Sequence, residues 1–327
     1  MIERLKGKKV LVTGGCGFIG SHIVDKLIEL GAKVIVIDNL STGKLENIEH
    51  ILNKIEFIEG DIRDEMLLDK ILKDVNYISH QAALRSVPKS VEKPFQYHEV
   101  NVIATLKLFM KAKELGIKRI VYASSSSVYG ERLNFPEKET DPPKPLSPYA
   151  ATKLFGEYYA YIFTKLYGLG VVSLRYFNVF GPRQSLESQY AVVVPKFITC
   201  LLKKESPPIY GDGNQERDFT YIDNIVEANI LALIKEDIEG EVFNIADGKP
   251  RSVNYLLEVL KEITSQKDIQ PVHLEPRKGD VRKTYADNSK AEKFLGWRPR
   301  IDFYEGLKRT VEWFKEKYKD EDYRRTN

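Results

Sequence analysis

The sequence has little cysteine and little methionine, two and three residues in 327. Cys16 and Cys200 both sit in apolar contexts, so no disulfide framework is available and a reduced interior is expected. No apolar run approaches the roughly 20 residues that cross a bilayer, which excludes a membrane partner. The opening MIERLKGKKVLVTGG enters a strand directly and lacks the apolar core of a cleavable leader, so a cytoplasmic protein is expected. Neither charge sign dominates. Fifty Lys and Arg against 47 Asp and Glu leave +3, interspersed along the chain, and no basic stripe points to a nucleic-acid partner. The five histidines show no metal-ligand spacing, and no metal is expected. Internal repeats and low-complexity linkers are absent too.

What the chain does contain is alternation. Short apolar runs, KKVLVT, AKVIVID, IEFIEGD, VNYISH, RIVYAS and VVSLRYF, are separated by helical periods such as SHIVDKLIELG and EVNVIATLKLFMKAKELG, each ending on a glycine that suits a helix C-cap. Six such runs before residue 180 predict an α/β fold, a Rossmann-type doubly wound parallel sheet. After residue 180 the loops lengthen and only occasional strands such as GEVFNIA remain, which predicts a smaller mixed α/β substrate domain. The expected boundaries are 1–177 for the dinucleotide domain, with returning segments at roughly 218–246. Residues 178–217 and 247–327 then form the substrate domain.

The first strand runs into TGGCGFIG, with Gly14, Gly17 and Gly20 spaced G-x-x-G-x-x-G ahead of a helix. Strand, turn and helix in that order suit a pyrophosphate. The turn needs residues without Cβ, the backbone must approach the anion closely, and helix N-terminal amides receive it. Asp38 ends the second strand, at the distance where an acidic residue accepts the ribose hydroxyls of NAD. DNLSTGK offers no arginine for a 2′-phosphate, so NAD is expected rather than NADP. Asp61 ends the third strand, where it can cap the adenine amino group. HQAA closes the fourth; its small Ala82 and Ala83 let a dinucleotide pass, and His80 reads as structural.

In SPYAATKLFGE, Tyr149 and Lys153 stand four apart and share one helix face. A tyrosine is a weak base at its ordinary pKa near 10, and an adjacent ammonium brings it toward neutral pH. With the serine run YASSSSVYG before them and the glycine turn at the first strand, these motifs are similar to those of the extended short-chain dehydrogenases/reductases. Within that group the chain resembles the nucleotide-sugar epimerases and dehydratases, nearly end to end. TGGCGFIG, DNLSTG, GDIRD, HQAA, SSSSVYG, SPYAATK, LRYFNVFGPRQ, GDGNQERDF and RKGDVRKTYADNSKA carry the resemblance.

The resemblance implies that Ser125, three residues before Val128, bridges the sugar 4-hydroxyl and Tyr149. Ser124 and Ser126 are left as substrate contacts or strand-end hydrogen-bond partners. Resembling 4,6-dehydratases carry an Asp–Glu pair directly after this serine, and decarboxylases a glutamate in the same turn. Here stand Ser126 and Ser127, so elimination lacks its acid and base, and the implied reaction is 4-epimerisation through a 4-keto sugar with retained NAD. A dehydratase, a decarboxylase, a UDP-glucuronate 4-epimerase and a non-catalytic NAD sensor stand as the alternatives. The implied cofactor contacts also include Phe18, Ile19, Asn39, Ser41, Thr42, Gly43, Ile62, Asn101 and Tyr176.

On the substrate side the resemblance implies Arg85, Asn178 on the phosphates, and Arg217 and Arg277 clamping them. Arginine suits this because its planar fork binds phosphate oxygens bidentately. Asp280 is implied on a ribose, with Val193, Val194 and Tyr210 around the base. The implied substrate is a UDP-sugar, UDP-glucose and UDP-galactose and also the N-acetylated pair, with dTDP left open. Thr284 occupies a place where relatives restricted to non-acetylated sugars carry tyrosine, although a one-residue slip would put Tyr285 there instead. The helices from about Phe95 to Gly116 and from Tyr149 are apolar on more than one face and so must bury a second face; the resemblance implies that they pair with their symmetry mates in a homodimer around a four-helix bundle.

Overall fold

The computed structural model describes residues 2–185, 193–276 and 281–326. Seven strands form the central sheet: β1 (Lys9–Thr13), β2 (Lys33–Asp38), β3 (Ile55–Glu59), β4 (Tyr77–His80), β5 (Arg119–Ser125), β6 (Gly170–Tyr176) and β7 (Val242–Ile245). All neighbours pair in parallel, in the order β7-β6-β5-β4-β1-β2-β3. The six runs expected in the first half and GEVFNIA thus all join one sheet.

A parallel sheet covered on both faces buries both sides of its inner strands, which is why β1 and β2 are near-continuous Val and Ile runs, whereas the edge strand β3 carries the exposed Glu56 and Glu59. Successive residues still sort to opposite faces. Val10, Val12, Val34 and Val36 pack into one core cluster, whereas Leu11, Ile35 and Ile37 pack into the other. The first face is covered by α1 (Phe18–Glu29) and the second by α2 (Ala104–Glu114) and α3 (Pro148–Tyr167). α4 (Val193–Leu202), α5 (Ile222–Ile234), α6 (Val253–Thr264) and α7 (Phe303–Thr326) join the first cluster.

The strand order reverses between β1 and β4, so a crevice opens beyond their carboxyl ends at Thr13 and His80. The segment expected as one helix from Phe95 is helical without a break and contains a π-helical stretch. Pro94–His98 and α2 flank this stretch, Glu99–Ile103, which carries Asn101. The later part of the chain adds three two-stranded pairs: Val179–Phe180 with Thr220–Tyr221, Glu216–Asp218 with Pro250–Ser252, and Pro208–Tyr210 with Val272–Leu274. Among the described residues no helix is long and apolar enough to cross a membrane.

Candidate active site

A cleft of about 570 Å³ follows the carboxyl ends of the central strands. At its floor Gly14 has φ +69°, and a Cβ there would lie 2.8 Å from the Ala82 amide nitrogen, so only glycine fits the turn. Gly17 caps α1 without a side chain, and Gly17, Phe18, Ile19 and Gly20 line the cleft at the helix N-terminus. That arrangement suits an anion. Asp38 is held by two amides, Cys16 N–H and Leu40 N–H, each at 2.9 Å. Burial pushes its carboxyl above the usual range while these two bonds pull it back. Asp61 accepts from Asn39 at 2.8 Å and from Arg63 three times at 2.9 Å, twice from its guanidinium and once from its backbone N–H, and the Arg63 pairing holds it down at about 2. Asn39, Ser41, Thr42, Gly43, Ile62, Ala82 and Ala83 also line the cleft. These glycines and carboxylates fit an adenine dinucleotide with a free ribose 2′-hydroxyl.

Asn101 does not line that cleft; it acts one layer below. Its amide donates to Leu84 O at 2.9 Å and accepts from Leu84 N–H at 2.8 Å, fixing the cleft wall beside Arg85. His80 belongs to the same layer. The Thr105 hydroxyl donates to Asn101 O, so it must accept from His80 Nε2–H; Nδ1 then accepts from Thr13, whose oxygen receives the Ala82 amide. Burial holds this imidazole neutral, down to about 3, and a single tautomer satisfies every partner.

Tyr149 and Lys153 open α3. Ser147 caps that helix by accepting from Ala150 N–H at 3.1 Å, Pro148 occupies its first turn and Gly168 ends it in the left-handed region. Both side chains line the cleft, as do Ser124, Arg85 and Tyr176. Burial raises the Tyr149 phenol, and the hydrogen-bonded Ser125 hydroxyl and then Arg85 pull it back. Burial alone lowers Lys153, to about 7; its ammonium donates to Ala123 O at 2.7 Å. Ser125 also bonds the Ser127 hydroxyl at 3.0 Å and accepts Ser127 N–H at 3.2 Å, tying down the turn after β5. Ser124, which lines the cleft, donates to Glu157. The Tyr176 hydroxyl is engaged by Asn229 at 2.8 Å.

Other expected residues stand outside this cleft. Ser126 begins the short turn after β5, and Asn178, at φ +24°, receives Thr220 N–H. Val193 is half-buried at the start of α4, whereas Val194 has no exposed surface and packs in the core. Tyr210 and Arg217 lie on the small strand pairs. Thr284 N–H donates to Glu216 O, which brings it next to Arg217. Arg277 and Asp280 lie outside the described residues. No group of three or more potential metal ligands gathers among the described residues.

Some of the cleft residues that local sequence did not suggest come from far along the chain. Trp313, Phe314, Lys317 and Tyr318 of α7 close one side, and Lys317 pairs with Glu46 at 3.0 Å. Partners 271 residues apart leave no local pattern to read.

The sheet order, the glycine turn and the Tyr–Lys helix start define the class, a short-chain dehydrogenase/reductase. A family model described as GDP-mannose 4,6 dehydratase matches residues 11–310. A UDP-N-acetylglucosamine 4-epimerase of Methanobrevibacter ruminantium, solved in complex with UDP-N-acetylmuramic acid, is 47% identical with a TM-score of 0.91 over 95% of this chain and 99% of that one. A UDP-glucose 4-epimerase of Thermotoga maritima, solved with UDP-glucose, is 44% identical with a TM-score of 0.91 over the same shares. A Thermus thermophilus UDP-glucose 4-epimerase in complex with NAD is 37% identical with a TM-score of 0.86, covering 94% of this chain and 99% of that one. The chain belongs to this nucleotide-sugar epimerase and dehydratase family of extended short-chain dehydrogenases/reductases.

Proposed function

We propose that the protein is an NAD-dependent UDP-sugar 4-epimerase that interconverts UDP-glucose and UDP-galactose and also accepts the N-acetylated pair. The observation that carries this reading is the turn after Ser125. Its next two residues are Ser126 and Ser127, and Ser127 is spent on hydrogen bonds to Ser125. No carboxylate occupies these two positions to expel a hydroxyl or to take a C5 proton.

Gly14, Gly17, Asp38 and Asp61 would hold NAD, which when bound supplies a reversible hydride acceptor at carbon 4. Tyr149 takes the proton of the sugar 4-hydroxyl through Ser125 and keeps it while the keto sugar turns over. It would return that proton to the same sugar oxygen once the other face has been reduced, so the residue ends as it began. The Lys153 ammonium favours the phenolate. Asn178, Arg217 and, outside the described residues, Arg277 hold the diphosphate, with Asp280 on the uridine ribose and Val193 and Tyr210 toward the base; Val194, with no exposed surface, supports Val193 from the core. The substrate lobe comprises 178–217 and 247–327, and the remainder carries the cofactor.

Thr284 supports acceptance of a 2-acetamido group. It is small, and its hydroxyl is buried without a hydrogen-bond partner among the described residues, while the Tyr285 ring is stacked on Phe135 at 5.6 Å. The reading includes a homodimer. Phe95, Met110, Phe155, Tyr158, Tyr161 and Leu166 expose 45–74% of their surface around α2 and α3, an apolar area that a four-helix bundle would cover.

An NMR time course with UDP-glucose and, separately, UDP-N-acetylglucosamine, with no added cofactor, tests the reading. Appearance of the 4-epimer in both tubes is expected. A 4-keto-6-deoxy or decarboxylated product would overturn the reaction, and loss of only the acetylated reaction would overturn the role given to Thr284.

A further inference from the structure

Lys153 is 5% exposed, yet no carboxylate bonds its ammonium among the described residues; its one hydrogen-bond acceptor is Ala123 O. A buried ammonium without a counter-ion loses its hydration and gives up its proton. The proposed reaction needs it charged. What faces Lys153 from below is the ring of Tyr122 on β5, with Nζ 5.2 Å from the ring centroid.

We propose that Tyr122 is a positioning residue for the reaction, its ring face keeping the Lys153 ammonium charged in a pocket that offers it no carboxylate. The inference rests on the role given to Lys153 above. A ring face carries the negative part of the aromatic quadrupole, and the attraction strengthens where water is excluded. Tyr122 is 1% exposed, so this contact is dry.

The ring is built into place. Phe109 packs edge-on against it at 6.3 Å and 85°. On the α3 side a Cβ at Gly156 would collide with the Tyr122 ring and hydroxyl, so the ring can lie flat beneath Lys153 only because position 156 is glycine. The ring also stands beside His80, with centroids 5.9 Å apart, and Lys153 repulsion adds to burial in keeping that imidazole neutral.

The other ionisable neighbours do not substitute for it. Glu157, one turn on, is committed to Arg175 of β6 and to Ser124 of β5. Arg85 is a cation, and it acts on Tyr149 together with Tyr97. Burial keeps Tyr97 and Tyr176 as neutral phenols, and Tyr149 is the proton carrier itself.

The test reads Lys153 directly. The protein is labelled with carbon-13 at the lysine ε-carbons and titrated by NMR, and the Lys153 resonance is assigned by its loss in Lys153→Arg. Tyr122→Phe keeps the ring and should titrate as the unaltered protein does. Tyr122→Leu removes the ring, and its Lys153 midpoint should fall by about one pH unit, a tenfold smaller charged fraction above the midpoint. An unchanged midpoint in a folded Tyr122→Leu protein overturns the proposal, and so does an equal fall in Tyr122→Phe. If the leucine variant does not fold, Tyr122→Met is read by the same outcomes. Because no sugar is turned over, the result is independent of whether the epimerase reading stands.

Discussion

Arg175 of β6 and Glu157 of α3 form a two-point ion pair at 2.9 and 2.7 Å, with both side chains 4% exposed. It joins the helix that carries Tyr149 and Lys153 to the sheet beneath them. Ser124 donates to the same carboxylate, so the strand end next to Ser125 is fixed by the pair as well. Tyr129 covers the guanidinium, its ring centroid 4.6 Å away.

Breaking one side of this pair leaves a buried charge alone. Glu157→Ala is expected to destabilise the protein by about 3–5 kcal/mol, because Arg175 remains dry and unpaired. Urea denaturation of the variant beside the unaltered protein measures it. A loss below about 1 kcal/mol would mean that the pair contributes like a surface contact.

Tyr149→Phe removes the phenol and leaves the helix. Turnover should fall about 10²–10⁴-fold, the usual contribution of a positioned acid–base group. NAD affinity should change little, since the glycine turn, Asp38 and Asp61 are untouched. Steady-state rates and a direct NAD titration separate the two effects.

Thr284→Tyr puts a bulky ring next to Arg217. Turnover of UDP-N-acetylglucosamine should drop at least tenfold relative to UDP-glucose, because a clash with the acetamido group penalises only that sugar. Equal changes for both would show that position 284 does not face the sugar at carbon 2.

Glu137 is fully buried, and neither carboxylate oxygen has a hydrogen-bond partner among the described residues. Burial pushes it up to about 8. The folded protein therefore holds a proton that the unfolded chain releases near 4.5, and stability falls as pH rises between those values. Glu137→Gln removes this loss. The variant should match the unaltered protein near pH 4 and exceed it by a few kcal/mol at pH 8. Denaturation at both pH values checks the sign.

Much of this was legible in the sequence because it is local. Gly14, Gly17 and Gly20 follow a strand and open a helix; Tyr149 and Lys153 share a helix face; the Val and Ile runs mark buried parallel strands. The π-helical stretch at Glu99–Ile103 was not legible, because its Asn101 bonds Leu84, a contact made only after folding. The two- and three-residue strands after residue 178 are too short to show alternation. The α7 wall of the cleft and the Arg175–Glu157 pair depend on contacts between distant segments, and composition carries no trace of them.

The most direct measurement follows the hydrogen at carbon 4 of the sugar. UDP-glucose carrying deuterium there is incubated with the protein, and the products are read by proton and deuterium NMR. The account predicts UDP-galactose with the deuterium still on carbon 4, because the same hydride leaves and returns. Deuterium at carbon 6, or lost to solvent, would contradict it.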